Sequence, residues 1–419
     1  MHLAWRCGDQ ELLPNVRKLV ANNISLSDVA PVTLLLSPSI REIQISFDKN
    51  TLVVPSLSPV AAALFHDIVK TTAPHLTDLF LFERFPLSSS QIPLLGRCHN
   101  LRHICLSDRD HTVLDAGAIR LLERLGPLET MSLAIRLGGC HIAADLDLKI
   151  GFPKLNYFNL AGSAVDVANF LGAARLVALK TFEVTLAGST DMSALEECIA
   201  RMGAQLFQGL RSLHLTVTTM SPQSPTAVLG DVISPLYALK GLKSAGLDLG
   251  AHVPHTSDDD LIALADAWPK LDWLSIGGGS PPNVRRLTTL RRPTVRGLVE
   301  LAQRCPRLRI IHLPTLDTSQ LPSPESVPAL ARARTKRLNL DWISASGGPV
   351  RFELAVLLDR LFPELEKFEV GNPGQEEAGR QVFRYLEAMQ TGRRHSKLFP
   401  QEPEAKAPKP EEDSEEEGG

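Results

Sequence analysis

The chain has 419 residues, 44% hydrophobic and 22% charged, with a net charge of −3 and an isoelectric point near 6.5. That is enough apolar material for two or three globular domains or for one elongated array. The charge balance excludes a whole-protein attraction to nucleic acid or to an anionic membrane surface, since neither would meet a strongly positive field.

Residues 1–10 lack the continuous apolar stretch of a signal peptide, and no later run approaches the roughly 18 apolar residues of a membrane span, so an intracellular protein, cytoplasmic or nuclear, is expected. The six cysteines (Cys7, Cys98, Cys105, Cys140, Cys198, Cys305) contain no C-x-x-C pair. Buried thiols in a reducing compartment are expected, not a disulfide framework or a zinc site.

In chain order, one phrase returns: apolar-x-x-apolar-x-apolar. Weak members start at Val16 and Ile40, followed by LTDLFL from Leu76, LRHICL from Leu101, LETMSL from Leu128 and LNYFNL from Leu155. After a weak copy at Leu179 come LRSLHL from Leu210, a weak copy at Leu242, LDWLSI from Leu271 and LRIIHL from Leu308. A weak copy at Thr335 and LEKFEV from Leu365 close the series. Of the 39 pattern positions in these thirteen copies, 38 are apolar, Thr335 being the exception, where composition alone gives about 17. Steps of 24 to 37 residues between starts are too uneven for a perfect array and too periodic for an ordinary globular domain.

The alternation at positions four to six puts two side chains on one face of a short strand, and the first apolar residue anchors its start. One unit cannot bury its own apolar face, but stacked units share a continuous core. Between the strands, helix starts are predicted at Asp115, at a Ser193/Glu196 capping box, at Ser257 to Asp260, at Thr294 and at Pro349. Each helix ends near Gly or Pro, as at Gly126-Pro127, Trp268-Pro269, Cys305-Pro306 and Phe362-Pro363. The expected fold is α/β: an irregular leucine-rich-repeat solenoid with parallel strands on the concave face and helices on the convex face. It spans residues 1–395, and the Pro/Glu-rich segment 396–419 reads as a disordered acidic tail.

Third and fifth positions of each strand point away from the core. They nominate Tyr157, Asn159, Glu183, His214, Trp273, Ile310, His312, Arg337, Asn339 and Lys367 as an inner face for a protein partner, Tyr, Trp and Arg being the usual carriers of interface energy. No G-x-S-x-G, H-E-x-x-H or kinase signature occurs. No catalytic residue is therefore nominated, and no cofactor, metal, nucleic acid or membrane is expected to bind.

Other features read as plain structure. The run Gly277 to Ser280 lacks the GxxxxGK[ST] of a phosphate loop. Arg285, Arg286, Arg291, Arg292 and Arg296 could hold an acidic peptide or phosphate, but a solvated loop balanced by Asp258 to Asp260 is the expected role. His252 and His255 have no further ligands at useful spacing. The acidic tail, with Ser414 within it, is expected to solubilise.

The wording of the repeats carries a resemblance. ELLPNVRKL (Glu11 to Leu19), LLSPSIREIQI (Leu35 to Ile45), APHLTDLFL (Ala73 to Leu81), FPKLNYFNLAG (Phe152 to Gly162), RCPRLRIIHLP (Arg304 to Pro314) and FPELEKFEVG (Phe362 to Gly371) together resemble fungal F-box proteins with irregular leucine-rich repeats. The resemblance implies a receptor whose repeats select a substrate for a ubiquitin ligase, while an F-box docks on the ligase adaptor; a monomer is expected. Only about fifteen residues precede the first repeat, too few for a three-helix F-box. A truncated product and a repeat-only relative both remain open, as does a stand-alone repeat regulator or inhibitor of an enzyme. The regular repeat's asparagine, eight residues after the first Leu, is replaced by residues such as Arg84, Arg109, Ser163, Thr218, Gly279 and Pro373, so an unevenly curved arc is expected.

Overall fold

The computed structural model describes residues 13–48, 57–82, 85, 87, 89–106, 113–138, 148, 151–206, 209–221, 228–250, 254–277, 291–330, 333–343, 348–371 and 375–398. The strands are β1 (Lys18–Ile24), β2 (Glu42–Phe47), β3 (Asp78–Phe82), β4 (His103–Leu106), β5 (Val113–Leu114), β6 (Thr130–Ile135) and β7 (Tyr157–Gly162). Seven more follow: β8 (Thr181–Thr190), β9 (Ser212–Met220), β10 (Ser244–Asp248), β11 (Trp273–Gly277), β12 (Ile310–Leu316), β13 (Arg337–Ile343) and β14 (Lys367–Val370). The helices are α1 (Val29–Leu34), α2 (Leu57–Thr72), α3 (Ala116–Glu123), α4 (Ala164–Ala173), α5 (Met192–Gln205), α6 (Leu229–Ile233), α7 (Asp258–Ala267), α8 (Val295–Arg304), α9 (Gly348–Leu361) and α10 (Glu376–Leu398).

All described strands join one parallel sheet whose order is the chain order, with β5 alone off the path as a flank on β6. The other thirteen strands are the thirteen phrases, and each begins at the third position of its phrase. Their register is uniform through the phrase, shifting only beyond it in the β1–β2 and β8–β9 pairs. Fourth positions face fourth positions along the sheet, as in Met131↔Phe158↔Phe182↔Leu213↔Ala245↔Leu274. A one-residue slip would turn every apolar side chain to the solvent face, so the alternation itself holds the register.

At the leading edge of the sheet the second-position carbonyl of each repeat accepts two backbone N–H groups from the next. Lys180 O, for instance, accepts from Arg211 N at 2.8 Å and Ser212 N at 3.0 Å, and Lys243 O from Asp272 N at 2.7 Å and Trp273 N at 3.1 Å. No donor is stranded where the chain turns into the strand. Thr335, the one polar member of the pattern, is buried and satisfies its hydroxyl on Leu308 O at 2.9 Å.

First, fourth and sixth positions are buried against the helices, apart from the half-buried Val16 and Ala21 at the start of the array. One apolar core runs from Leu19 to Leu386. Aromatic rings pack within and between repeats there, Phe158 lying 5.4 Å from Phe170 of its own repeat and 5.7 Å from Phe182 of the next. Neighbouring strands sit about 4.8 Å apart while packed helices need about 8–10 Å. The helical layer is therefore the wider one, and the sheet lines the inside of the arc.

Helix starts follow the sequence with one correction. Asp115, Ser257 and Thr294 cap α3, α7 and α8 through side-chain bonds to Ala118 N, Asp260 N and Arg296 N. The cap of α5 is Asp191, whose carboxylate accepts from Ala194 N at 2.7 Å, and the expected Ser193/Glu196 box lies inside the helix. A carboxylate two residues upstream takes the cap because it accepts the free N–H more strongly than a hydroxyl.

The missing asparagine ladder has a substitute. Asp166, in the first turn of α4, reaches back to Leu137 N at 2.8 Å, and Asp260, from the capping box of α7, to Gly230 N at 3.1 Å. Gln375 bonds both Ile343 N and Ile343 O, and Asp258 accepts from Thr294 N and its hydroxyl. These inter-repeat staples come from different residue types at different positions, with no shared ladder. At the far end α10 runs to Leu398, past the division expected at 395/396; residues 399–419 lie outside the described residues.

Candidate functional site: the open face of the sheet

The helices cover one face of the sheet, and the third and fifth positions fill the other with two unbroken rows. The third-position row includes Tyr157, Thr181, Ser212, Ser244, Trp273, Ile310, Arg337 and Lys367 in direct register. Beside it run Asn159, Glu183, His214, Gly246, Ser275, His312, Asn339 and Glu369. All are half-buried or exposed apart from the buried Gly246. Every nominated residue thus stands on this face, in two adjacent rows.

At its centre the face is built around Gly246. A Cβ there would fall 2.7 Å from His214 Nδ1 and 3.0 Å from Trp273 Cζ3. Glycine lets the two rings close over its backbone with centroids 4.9 Å apart. His214 Nε2 lies 3.1 Å from the Ser212 hydroxyl and 3.3 Å from that of Ser244. Burial lowers the His214 pKa from the usual 6.5, against a smaller upward pull from Glu183. Burial, then a hydrogen bond to Glu183, pushes the Tyr157 phenol above its usual range, so Tyr157 is a neutral donor and an aromatic surface.

Toward β14 a second group forms. His312 stands between the Ser275 hydroxyl, 3.0 Å from Nδ1, and Asp341, whose Oδ1 lies 2.9 Å from Nε2. The neighbouring Asn339 Oδ1 is buried and has no hydrogen-bond partner among the described residues. An unmatched acceptor of this kind costs free energy unless a ligand or water completes it. Arg337 is exposed, and Lys367 pairs with Glu369 at 2.7 Å.

Toward β1 the third-position row carries Lys18, paired with Glu42 at 2.6 Å, and Asp78 beside His103. A hollow of about 540 Å³ is lined by Asn22, Gln44, Phe82, Ser132, Asn159 and Ala161 among others. One hollow with walls from β1 to β7 is the mark of a curved surface. Phe80 and Phe82 stack beside it with centroids 5.8 Å apart. The nomination omitted Phe80, Gln44 and Cys105, although the same third-and-fifth rule places them here. Gly246 is likewise a fifth position, while Asp341, one residue beyond the phrase from Thr335, had no sequence signal of its own.

Away from this face, Arg291, Arg292 and Arg296 line a hollow of about 550 Å³ together with Asp258, Asp259 and Asp317. The arginines have acidic neighbours there, and Arg292 also lies over the Trp342 ring at 4.1 Å. Arg285, Arg286, Gly279, Ser280 and His252 lie outside the described residues. His255 accepts a hydrogen bond from Arg291 N on its Nδ1 at 2.9 Å. Among the described residues no group of His, Cys, Asp or Glu is arranged to hold a metal, and no helix is long and apolar enough to cross a membrane. Cys98, Cys198 and Cys305 are buried free thiols with pKa values pushed up by desolvation to about 11, 12 and 12, while Cys105 is half-exposed and Cys7 and Cys140 lie outside the described residues.

The chain matches no protein-family model and no curated protein sequence. Among solved structures it is similar to an internalin from Listeria monocytogenes, at 16% identity over 84% of this chain and 86% of that one, with a TM-score of 0.38. It is similar to the complex of Rad7 and Elc1 in yeast, at 14% identity over 84% and 76% with a TM-score of 0.41. A third similar structure is the leucine-rich-repeat-containing protein LegL7 from Legionella pneumophila, at 13% identity over 88% and 97% with a TM-score of 0.37.

Proposed function

We propose that the chain is a non-catalytic receptor that binds another protein across the open face of its sheet. The observation that carries this reading is the continuous register of two side-chain rows over thirteen strands, including the Trp273–His214 pair and an unmatched Asn339 acceptor. Such a face offers rigid aromatic anchors in a polar surround, the composition of an interface hot spot. The F-box-like wording of the repeats supports a finer reading, in which the bound protein is a ubiquitin-ligase substrate.

Affinity capture from the cells that make the protein tests both levels. Tyr157→Ala/Trp273→Ala/Arg337→Ala should release the bound protein while leaving thermal unfolding within a few degrees. Val165→Ser/Val177→Ser, on exposed residues outside this face, should retain it. The reverse pattern would contradict the open face as the site. A ligase adaptor in the captured material supports the receptor reading, and a stable one-to-one complex with an enzyme and no adaptor would mark a stand-alone regulator instead.

A further inference from the structure

The leading edge of the sheet carries a row of cations that the open-face reading does not use. The second-position residues of β8, β9 and β10 are Lys180, Arg211 and Lys243, joined by backbone bonds from Arg211 N to Lys180 O and from Lys243 N to Arg211 O, both 2.8 Å. Past Asp272 the row resumes with Arg309 and Lys336, each donating its backbone N–H to the preceding member at 2.8 Å. At about 4.8 Å per strand, three side-chain cations fall within roughly 10 Å.

Lys336 pairs with Glu366 at 2.6 Å. Lys180, Arg211, Lys243 and Arg309 form no ion pair among the described residues, and all but the half-buried Lys243 are exposed. Like charges held at this spacing repel one another, and a polyanion laid along them would relieve that.

The chain supplies such a polyanion. Segment 399–419 holds eight acidic residues and two lysines, leaving residues 1–398 with a net charge of +3. Six of its acids lie between Glu411 and Glu417. Its starting point is also on the right edge. Gln390 of α10 donates to Leu365 O at 3.1 Å, and Arg393 and Arg394 share a hollow of about 860 Å³ with Lys336 and Glu366. The twelve residues from 399 to 410, four of them proline, span up to about 37 Å at roughly 3.1 Å per residue. Five strand steps from β14 to β9 cover about 24 Å, so the acidic run reaches Arg211 and its neighbours. Tethering adds an effective concentration on the order of mM, enough for charge pairing too weak to join separate molecules.

We propose that the acidic run Glu411 to Glu417 docks on the cationic leading edge of its own sheet, at Lys180, Arg211, Lys243 and Arg309. Carbodiimide cross-linking of the full chain, followed by peptide mass spectrometry, tests this, because it joins only carboxylates and amines already in contact. At low salt, links from Glu411–Glu417 to Lys180 and Lys243 should exceed those to the exposed Lys70 of α2 by about tenfold, and should vanish near 1 M salt, where the Debye length falls to about 3 Å.

Neutralising the run (Glu411→Gln, Glu412→Gln, Asp413→Asn, Glu415→Gln, Glu416→Gln, Glu417→Gln) should abolish those links with unchanged circular dichroism. Arg211→Glu should reduce them severalfold with unchanged circular dichroism. Links spread evenly over all exposed lysines, no links while Lys180 still reacts with an external reagent, or links found only between differently isotope-labelled copies would each overturn the proposal.

Discussion

At Gly246 a single missing side chain decides what the open face can present. Any larger residue would drive a Cβ into His214 and Trp273, so Gly246→Ala should separate the rings and destabilise the fold by about 1–3 kcal/mol, the usual cost of overpacking. Trp273 emission should move in the same variant, and an unchanged spectrum and unfolding curve would mean that the rings do not meet there. His214 gives a pH dependence whose sign follows from its depressed pKa. Near and below pH 6.5 the unfolded chain binds the proton more readily than the folded one, so stability falls as pH drops through that value and is unaffected above it. Denaturant unfolding between pH 7.5 and pH 5 should show this slope, and His214→Gln should flatten it. Residue by residue, the sequence was informative wherever alternation alone fixes direction: Tyr157, His214, Trp273 and His312 stand where positions three and five put them. The contacts that give them character involve Gly246, Ser212, Ser275 and Asp341, which share no short segment and become neighbours only through the ladder.

The repeat, at the scale of elements, is held by two devices of unequal legibility. The apolar phrase was visible because buried positions recur at fixed spacing within each strand, and even its exception, Thr335, is explained by one hydrogen bond to Leu308 O. The staples were not visible, because a Ser-x-x-Asp cap announces only its own helix. Ser163 caps α4 by accepting from Asp166 N, and the Asp166 carboxylate, which takes the Ser163 hydroxyl at 2.7 Å, also accepts the buried Leu137 N–H 29 residues upstream. Asp166→Ala should therefore cost about 1–3 kcal/mol for the stranded Leu137 donor while Ser163 keeps the cap, read from denaturant midpoints. A loss under about 0.5 kcal/mol would show that water replaces the staple. Asp191 makes the complementary point: a plausible Ser193/Glu196 box lost the cap to a carboxylate two positions earlier.

The whole molecule is a one-dimensional stack in which each strand touches only its neighbours, so stability should be a sum of repeat and interface contributions. Native-state hydrogen exchange should accordingly show the slowest amides in β7 to β10, where aromatic bridges and long strands coincide, with protection falling toward β1 and β14. Uniform protection along the array would argue for a single cooperative unit. Length and period foretold this architecture, and the curvature followed from the mismatch between strand and helix spacing. What binds the face was not legible, since recognition depends on a partner's surface that no feature of this chain encodes. The most direct test is to place the photo-reactive residue p-benzoylphenylalanine at Thr181 on the open face, or at Val177 outside it, and irradiate the protein bound to its captured partner. Covalent adducts at Thr181 and none at Val177 are expected; adducts at Val177 with Thr181 unreactive would contradict recognition through the open sheet.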